Sequence, residues 1–404
     1  MLGERIKKLR KQKKLTLEAL AGKELSKGML SLIENNKANP SMESLSYIAK
    51  RLDVDVSDLL DAVSSEELRG ILEKAEKIYN DDGQKTANKY KQLIELIEPL
   101  WDVIPQGYEA ARLLEIYSYS LWKEKKANWL ESSETAANMF DQLNISSNRA
   151  SIAIFWVNQK FLEHKYDEAL TIFLQERKII ETTFAYIDPL TRLDLDYHEA
   201  ILHFAVGNSQ SAIRIMENAI QFSKEKKVFY RIDDLYRLAA CEGMLSRDDK
   251  KKNFYLEKLK QYGEFADNQF SIYFYKLFYI MDLISEEKEY EKALEEIDQL
   301  LSDSDTIEFY DPWFTLEKGK ACYYLGRNEE ALFLLNKVVI PDVHHPFDLS
   351  ILYVVDTFKA LCQRKLGDKQ AASQTMEQAY ANYSLLPSTP FKEFTMEVYG
   401  EIKR

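Results

Sequence analysis

The sequence predicts an all-α protein in which a small basic helical head precedes a long acidic array of helical hairpins. Three observations carry this expectation. Only 13 Gly and 9 Pro occur in 404 residues, while 46% of the residues are hydrophobic and 30% charged. That composition suits helices with one buried face and excludes turn-rich sheets, collagen-like chains and broadly disordered ones. The charge changes sign along the chain: residues 1–60 hold 12 Lys and Arg against 8 Asp and Glu, and the remainder holds 42 against 58. Small residues also recur beside turns with a period near forty, and 404 residues are too many for one ordinary core.

The head reads as five short helices. Ile6, Leu9 and Arg10 begin the first; Thr16 caps the second, whose apolar positions are Leu17, Leu20 and Ala21. Ser26 caps a third with Leu30 and Ile33 facing inward, and Pro40-Ser41 opens a fourth carrying Leu45, Ile48, Ala49 and Leu52. Val56, Leu59 and Leu60 end the unit. Residues 1–27 carry nine basic side chains against three acidic ones, so a polyanionic partner is expected at this end.

These residues resemble the lambda-repressor-type (Xre) helix-turn-helix domain over residues 2–60. Arg5, Arg10, Thr16, the Leu30–Ile33–Glu34–Asn35 segment, Pro40-Ser41 and the Leu45–Ile48–Ala49–Leu52 stripe carry the likeness. The resemblance implies a DNA-binding domain over 1–63 whose third helix lies in the major groove. Its groove-facing positions become Ser26, Lys27, Gly28, Met29, Ser31 and Leu32, with Asn35 and Lys37 near phosphate. Leu17, Met29 and Leu32 depart from the polar residues common in the family. Bidentate base reading needs Arg, Lys, Asn or Gln, which leaves Lys27 as the strong candidate, with DNA shape and paired half-sites supplying the rest. A partner-binding or degenerate head is the competing use.

Beyond residue 64 the marker residues are Ala87, Ala127, Ala169, Ala212, Ala293, Ala331 and Ala372, with gaps of 40, 42, 43, 81, 38 and 41. The long gap holds two periods, with a degenerate member near Lys252. Gly319, Gly326 and Ala331 stand seven and five apart. Ala200, Gly207, Ala212 and Ala219 keep the same ladder, as do Ala360, Gly367, Ala372 and Ala379. Small side chains let two antiparallel helices approach, and the glycine closes the turn between them. The ladders resemble tetratricopeptide repeats, which implies a right-handed α-solenoid over 64–404 with a concave groove.

The repeat phase selects one face of each first helix: Arg112 and Tyr119, Asn158 and Phe161, Tyr197 and Phe204, Asp234 and Arg237, Tyr275 and Phe278, then Trp313, Lys320 and Tyr323. Rings interleaved with amide and guanidinium groups suit an extended peptide. Packing between repeats is the competing use of the rings. Of these, Arg112, Tyr119, Asn158, Tyr197, Arg237, Tyr275, Trp313, Lys320 and Tyr323 are the expected peptide contacts.

Catalytic and metal chemistry finds no foothold. His198 and His203 are five apart and diverge around a helix, and Asp342-Val343-His344-His345-Pro346 reads as a loop. No phosphate-cradling glycine loop or nucleophile elbow occurs, so neither an enzyme nor a cofactor is expected. Cys241, Cys322 and Cys362 form no disulfide framework. The longest apolar run, Phe270 to Ile284, is broken by Lys276 and Asp282. A cytoplasmic protein without membrane contact is the expectation.

An Xre-type head followed by a tetratricopeptide body resembles the peptide-responsive quorum-sensing regulators of Gram-positive bacteria, the Rap–Rgg–NprR–PlcR–PrgX group, with the length and domain order of its NprR-like branch. The resemblance implies a transcription factor with three partners: duplex DNA, a short imported signalling peptide, and further copies of itself in a homodimer or higher oligomer. The alternative is a Rap-like module that captures a response regulator and depends little on DNA.

Overall fold

The computed structural model describes residues 2–60, 63–81, 88–302 and 308–403. Every regular element among them is helical. The chain divides into two compact units, Met1–Ile152 and Ala153–Arg404.

The first unit opens with α1 (Leu2–Gln12), α2 (Leu17–Ala21), α3 (Lys27–Glu34), α4 (Met42–Leu52) and α5 (Val56–Leu60), the five short helices that the head's pattern predicts. Thr16, Ser26 and Ser41 each cap the helix that follows, with the side-chain oxygen accepting a backbone N–H three residues on. Ile6, Leu20, Leu30, Ile48, Leu52 and Leu59 are fully buried together, so the apolar stripe of each helix closes one small core. α6 (Ser65–Tyr79) starts with a capping box in which Ser64 and Glu67 exchange hydrogen bonds. Its Glu67 also meets Lys8 of α1 at 2.5 Å. α7 (Lys89–Ile97), α8 (Tyr108–Lys123) and α9 (Trp129–Gln142) complete the unit, and α10 (Ser146–Leu162) runs into the second.

The second unit continues as α11 (Tyr166–Thr183), α12 (Pro189–Ala205), α13 (Ser209–Lys226), α14 (Ile232–Leu245), α15 (Asp249–Phe265), α16 (Gln269–Ser285) and α17 (Tyr290–Ser302). α18 (Asp311–Tyr324), α19 (Asn328–Leu335), α20 (Pro346–Lys365), α21 (Lys369–Ser384) and α22 (Pro390–Ile402) follow. Ala200, Ala212, Ala219, Ala293, Ala331, Ala360, Ala372 and Ala379 are all buried at helix–helix contacts. Gly207, Gly326 and Gly367 take positive φ values of 78°, 77° and 90° in the turns between paired helices, where a side chain would be strained.

One marker, Ala127, differs from expectation, the degenerate member falls at Lys252 as the spacing predicts, and Ala87 lies outside the described residues. Ala127 is exposed in the turn before α9, where Ser132, Ser133 and Ala136 supply the small buried surface instead. The repeat without its alanine keeps the close approach by moving the small residue to the partner helix. Lys252 occupies the marker position on α15, and a Cβ on Gly243 of α14 would lie 2.6 Å from the Lys252 nitrogen and 2.9 Å from its Cα. The Lys252 ammonium is then held by Asp282 at 2.7 Å and Asp249 at 3.1 Å. Gly243→Ala must therefore separate two backbones. A loss of about 1–3 kcal/mol is expected in chemical denaturation, and an unchanged midpoint would show that α14 and α15 can part freely.

Candidate functional sites

One candidate site lies on the head. α2 and α3 form a helix-turn-helix in which Leu20, Ala21, Leu30 and Ile33 face the core. The opposite side of α3 and its flanks present Ser26, Lys27, Gly28, Met29, Leu32, Asn35 and Lys37 to solvent, with Ser31 half-buried. Met29 and Leu32 remain 45% and 44% exposed although both are apolar. The Lys27 ammonium lies 3.1 Å from Glu18 of α2, so the candidate base reader begins in a surface ion pair. Asn35 donates its amide to the Ser31 carbonyl at 2.8 Å and accepts from Lys7 at 3.4 Å, which ties the end of α3 to α1.

Behind that face, the Arg10 guanidinium grips Glu34 through two hydrogen bonds of 2.6 and 2.9 Å and donates a third, of 2.8 Å, to the Leu15 carbonyl. Its hydrogen bond to Glu34 raises the Arg10 pKa against the opposing effect of burial. The fork fixes α3 against α1 and the loop before α2, and so sets the angle at which the exposed face is offered.

The second candidate site is a cavity of about 470 Å³ within the second unit. α12 contributes Tyr197, Ile201 and Phe204, α14 contributes Arg237 and Cys241, and α16 contributes Phe270, Phe274 and Phe278. Phe309, Tyr310 and Trp313 close another wall, while His345 to Asp348 and Pro387 to Thr389 come from later segments. The Arg237 guanidinium pairs with Asp234, has Asp233 at 3.9 Å, and sits 4.6 Å from the centre of the Phe270 ring. Burial pushes the Tyr197, Tyr310 and Cys241 groups up and the His345 imidazole down to about 4. Burial also pushes the Asp348 carboxyl up to about 6, against the attraction of Arg237.

Tyr197, Arg237 and Trp313 of the expected peptide contacts meet in this cavity, and Phe161, Phe204, Asp234 and Phe278 of the same repeat phase join them. The others lie apart. Asn158 is exposed, and Tyr275 carries the Lys260 ammonium 5.3 Å from its ring centre. Lys320 is buried against Glu317 at 2.7 Å, and Tyr323 packs edge-on to Phe358. Arg112 and Tyr119 belong to the first unit. There Arg112 is held by Glu76 at 2.6 Å and Glu115 at 2.9 Å, and Tyr119 packs against Tyr79, Tyr90 and Trp122.

A clasp borders the cavity. Tyr166 donates its hydroxyl to the His344 carbonyl at 2.8 Å across 178 residues of sequence. Because that proton is used, His164 Nδ1 must be the donor in its 2.7 Å contact with the Tyr166 oxygen. The Phe161 ring stacks on His345 at 6.2 Å.

The five short helices and the exposed face of α3 define a helix-turn-helix domain, and the helix-turn-helix domain family matches residues 3–65. The HTH-type transcriptional regulator SinR of Bacillus subtilis (strain 168) is 39% identical over 128 residues, which is 31% of this chain and 97% of that relative. The immunity repressor protein of Bacillus phage phi105 is 39% identical over 89 residues, 22% of this chain and 58% of the repressor. The chain belongs to the helix-turn-helix transcriptional regulators.

Among solved structures, Bacillus thuringiensis PlcR in complex with the peptide PapR7 and DNA is similar at 17% identity and a TM-score of 0.34, covering 66% of this chain and 98% of PlcR. The competence regulator ComR from Streptococcus vestibularis in complex with its signalling peptide XIP is similar at 21% identity and a TM-score of 0.35, covering 67% and 94%. Among the described residues no helix is long and apolar enough to cross a membrane.

Proposed function

We propose that the chain is a cytoplasmic transcriptional regulator whose residues 1–63 bind duplex DNA as one head of a homodimer and whose residues 64–404 sense a short signalling peptide in the cavity of the second unit. The observation that carries the peptide reading is the cavity itself. Its volume of about 470 Å³ falls within the usual span of ligand pockets, and its wall combines many rings with a few charged groups, the mixture that binds apolar side chains and fixes their orientation. The DNA reading rests on the family and on the exposed face of α3 beside the basic residues of α1.

Lys27 must leave Glu18 to reach a base edge. Both side chains are largely exposed, so their pair is worth little and its release costs at most about 1 kcal/mol. Lys27→Ala is expected to reduce discrimination between preferred and random duplexes by about tenfold in a binding-site selection. Substituting Lys13 and Lys14 should instead weaken all duplexes alike and flatten the salt dependence. An unchanged site preference in Lys27→Ala would remove Lys27 from base reading. The peptide reading is tested by incubating the full chain with a synthetic pool of random hexapeptides and recovering those retained. Failure to retain any would reject it.

A further inference from the structure

Among the described residues, four charged side chains line the cavity: Asp234, Arg237, Glu242 and Asp348. Arg237 is neutralised by Asp234, with Asp233 close by, and Glu242 is matched by Lys251 at 2.7 Å. Asp348 is different. Its carboxylate, in the first turn of α20, has no hydrogen-bond or ion-pair partner among the described residues. The helix terminus tolerates that negative charge but does not neutralise it. Around it stand rings whose faces are electron-rich: Tyr197, Phe270, Phe309, Tyr310 and Trp313 line the same space. Phe270 lies 5.4 Å from Phe309 and 4.9 Å from Tyr310, and Phe309 lies 5.0 Å from Trp313. The Tyr310 hydroxyl is buried and also has no hydrogen-bond partner.

A carboxylate without a direct partner inside an aromatic wall, its nearest cation Arg237 already paired with Asp234, is complementary to one kind of group. We infer that the cavity selects short peptides carrying a positive charge, an ammonium or guanidinium seated between Asp348 and the aromatic faces. This inference rests on the peptide reading above and narrows its ligand class. The carboxylate supplies a charge-assisted hydrogen bond, and the rings supply cation–π attraction while holding water out. Arg237 cannot substitute as an anchor for an anionic ligand without giving up Asp234.

Binding should then depend on pH. Burial holds the Asp348 carboxyl up to about 6, and a bound cation favours its ionised form, so affinity is full above that value and falls as the pH drops through it. The groups facing it do not gain charge in the same range. His345 is pushed down to about 4 and stays neutral, His198 behind Tyr197 is also pushed down, and Tyr197, Tyr310 and Cys241 are pushed up and keep their protons. Arg237 remains cationic and paired.

The test uses the full chain and two pools of random C-amidated hexapeptides, one with free amino termini and one N-acetylated, with the retained peptides sequenced by mass spectrometry. Enrichment of Lys or Arg in both pools would support the inference through a side chain. Retention lost on acetylation would support it through the terminal ammonium. Retained peptides with neither feature, or with acidic ones, would overturn the inference and leave the peptide reading standing. No retention at all would overturn both. Asp348→Asn keeps shape and removes charge. It should melt no earlier than the parent, bind a recovered basic peptide about tenfold more weakly, and lose the affinity change between pH 7.5 and pH 5 that the parent displays. A variant that kept the basic bias would remove Asp348 as the anchor. Should the variant misfold, a pH-independent affinity in the parent chain would overturn the inference by itself.

Discussion

Glu34→Ala is expected to unfold the DNA-binding head while residues 153–403 stay folded. Glu34 is 3% exposed and accepts two hydrogen bonds from Arg10, whose third bond holds the Leu15 carbonyl. Removing the carboxylate leaves a half-buried guanidinium beside α3 without its counter-charge, and losing such charge-assisted hydrogen bonds costs about 1.5–3 kcal/mol or more. A core built from ten buried residues on five short helices has little reserve against a loss of that size. Hydrogen exchange should lose protection across α1 to α5, and DNA affinity should vanish in parallel. Glu34→Gln keeps part of the bonding and should fall between. Full protection of the head in Glu34→Ala would show that the fork is not what holds α3 in place.

Trp313→Ala should have the second large effect, because Trp313 belongs both to the core and to the cavity. It is 3% exposed, with Phe309 at 5.0 Å and Tyr310 at 6.0 Å. Truncating a buried Trp to Ala typically costs about 3–5 kcal/mol through lost contacts and the void left behind. Urea denaturation of the second unit should move to lower midpoint, and retention of hexapeptides should fall more than tenfold as one wall of the cavity opens. Trp313→Phe keeps a ring face and should recover most of both. If the alanine variant unfolded at the parent's midpoint, the packing role assigned to Trp313 would be wrong.

Local rules made most of the head legible. Thr16, Ser26 and Ser41 announce helix starts by their side-chain chemistry, and the apolar positions behind them repeat at helical spacing, so both the elements and the exposed face of α3 follow from neighbours in the chain. The Glu18–Lys27 pair did not, since it forms across a turn whose geometry the pattern leaves open. In the second unit the repeat phase located Phe161, Tyr197, Arg237, Phe278 and Trp313 because a helix face is a periodic property. Lys320 of the same phase lies apart from the cavity, its ammonium tied locally to the buried Glu317 three residues away. The phase could not reach Asp348, His345 or Tyr310, which enter the cavity from segments between or at the ends of helices, where no period operates. The string His344-His345-Pro346 was visible as a proline-flanked break. Its contact with Tyr166 depends on how far the intervening helices curl, and no residue pattern encodes that sum. Gly243 was hidden for a related reason: its meaning appears only beside Lys252 on the facing helix.

The Tyr166–His344 clasp changes how the second unit should come apart. In a stack whose members touch only their neighbours, an end can fray while the middle persists, and stability is close to a sum of local terms. A contact joining α11 to the segment before α20 links early and late members of the stack, so loosening either one strains the other. Denaturation should therefore be steeper and more nearly all-or-none than an open array of the same length would give. Refolding should be slower, because that contact spans 178 residues and cannot form until the helices between have assembled. Tyr166→Phe, which deletes one hydroxyl and keeps the ring against Phe161, should broaden the transition toward the stepwise melting of an unclosed array.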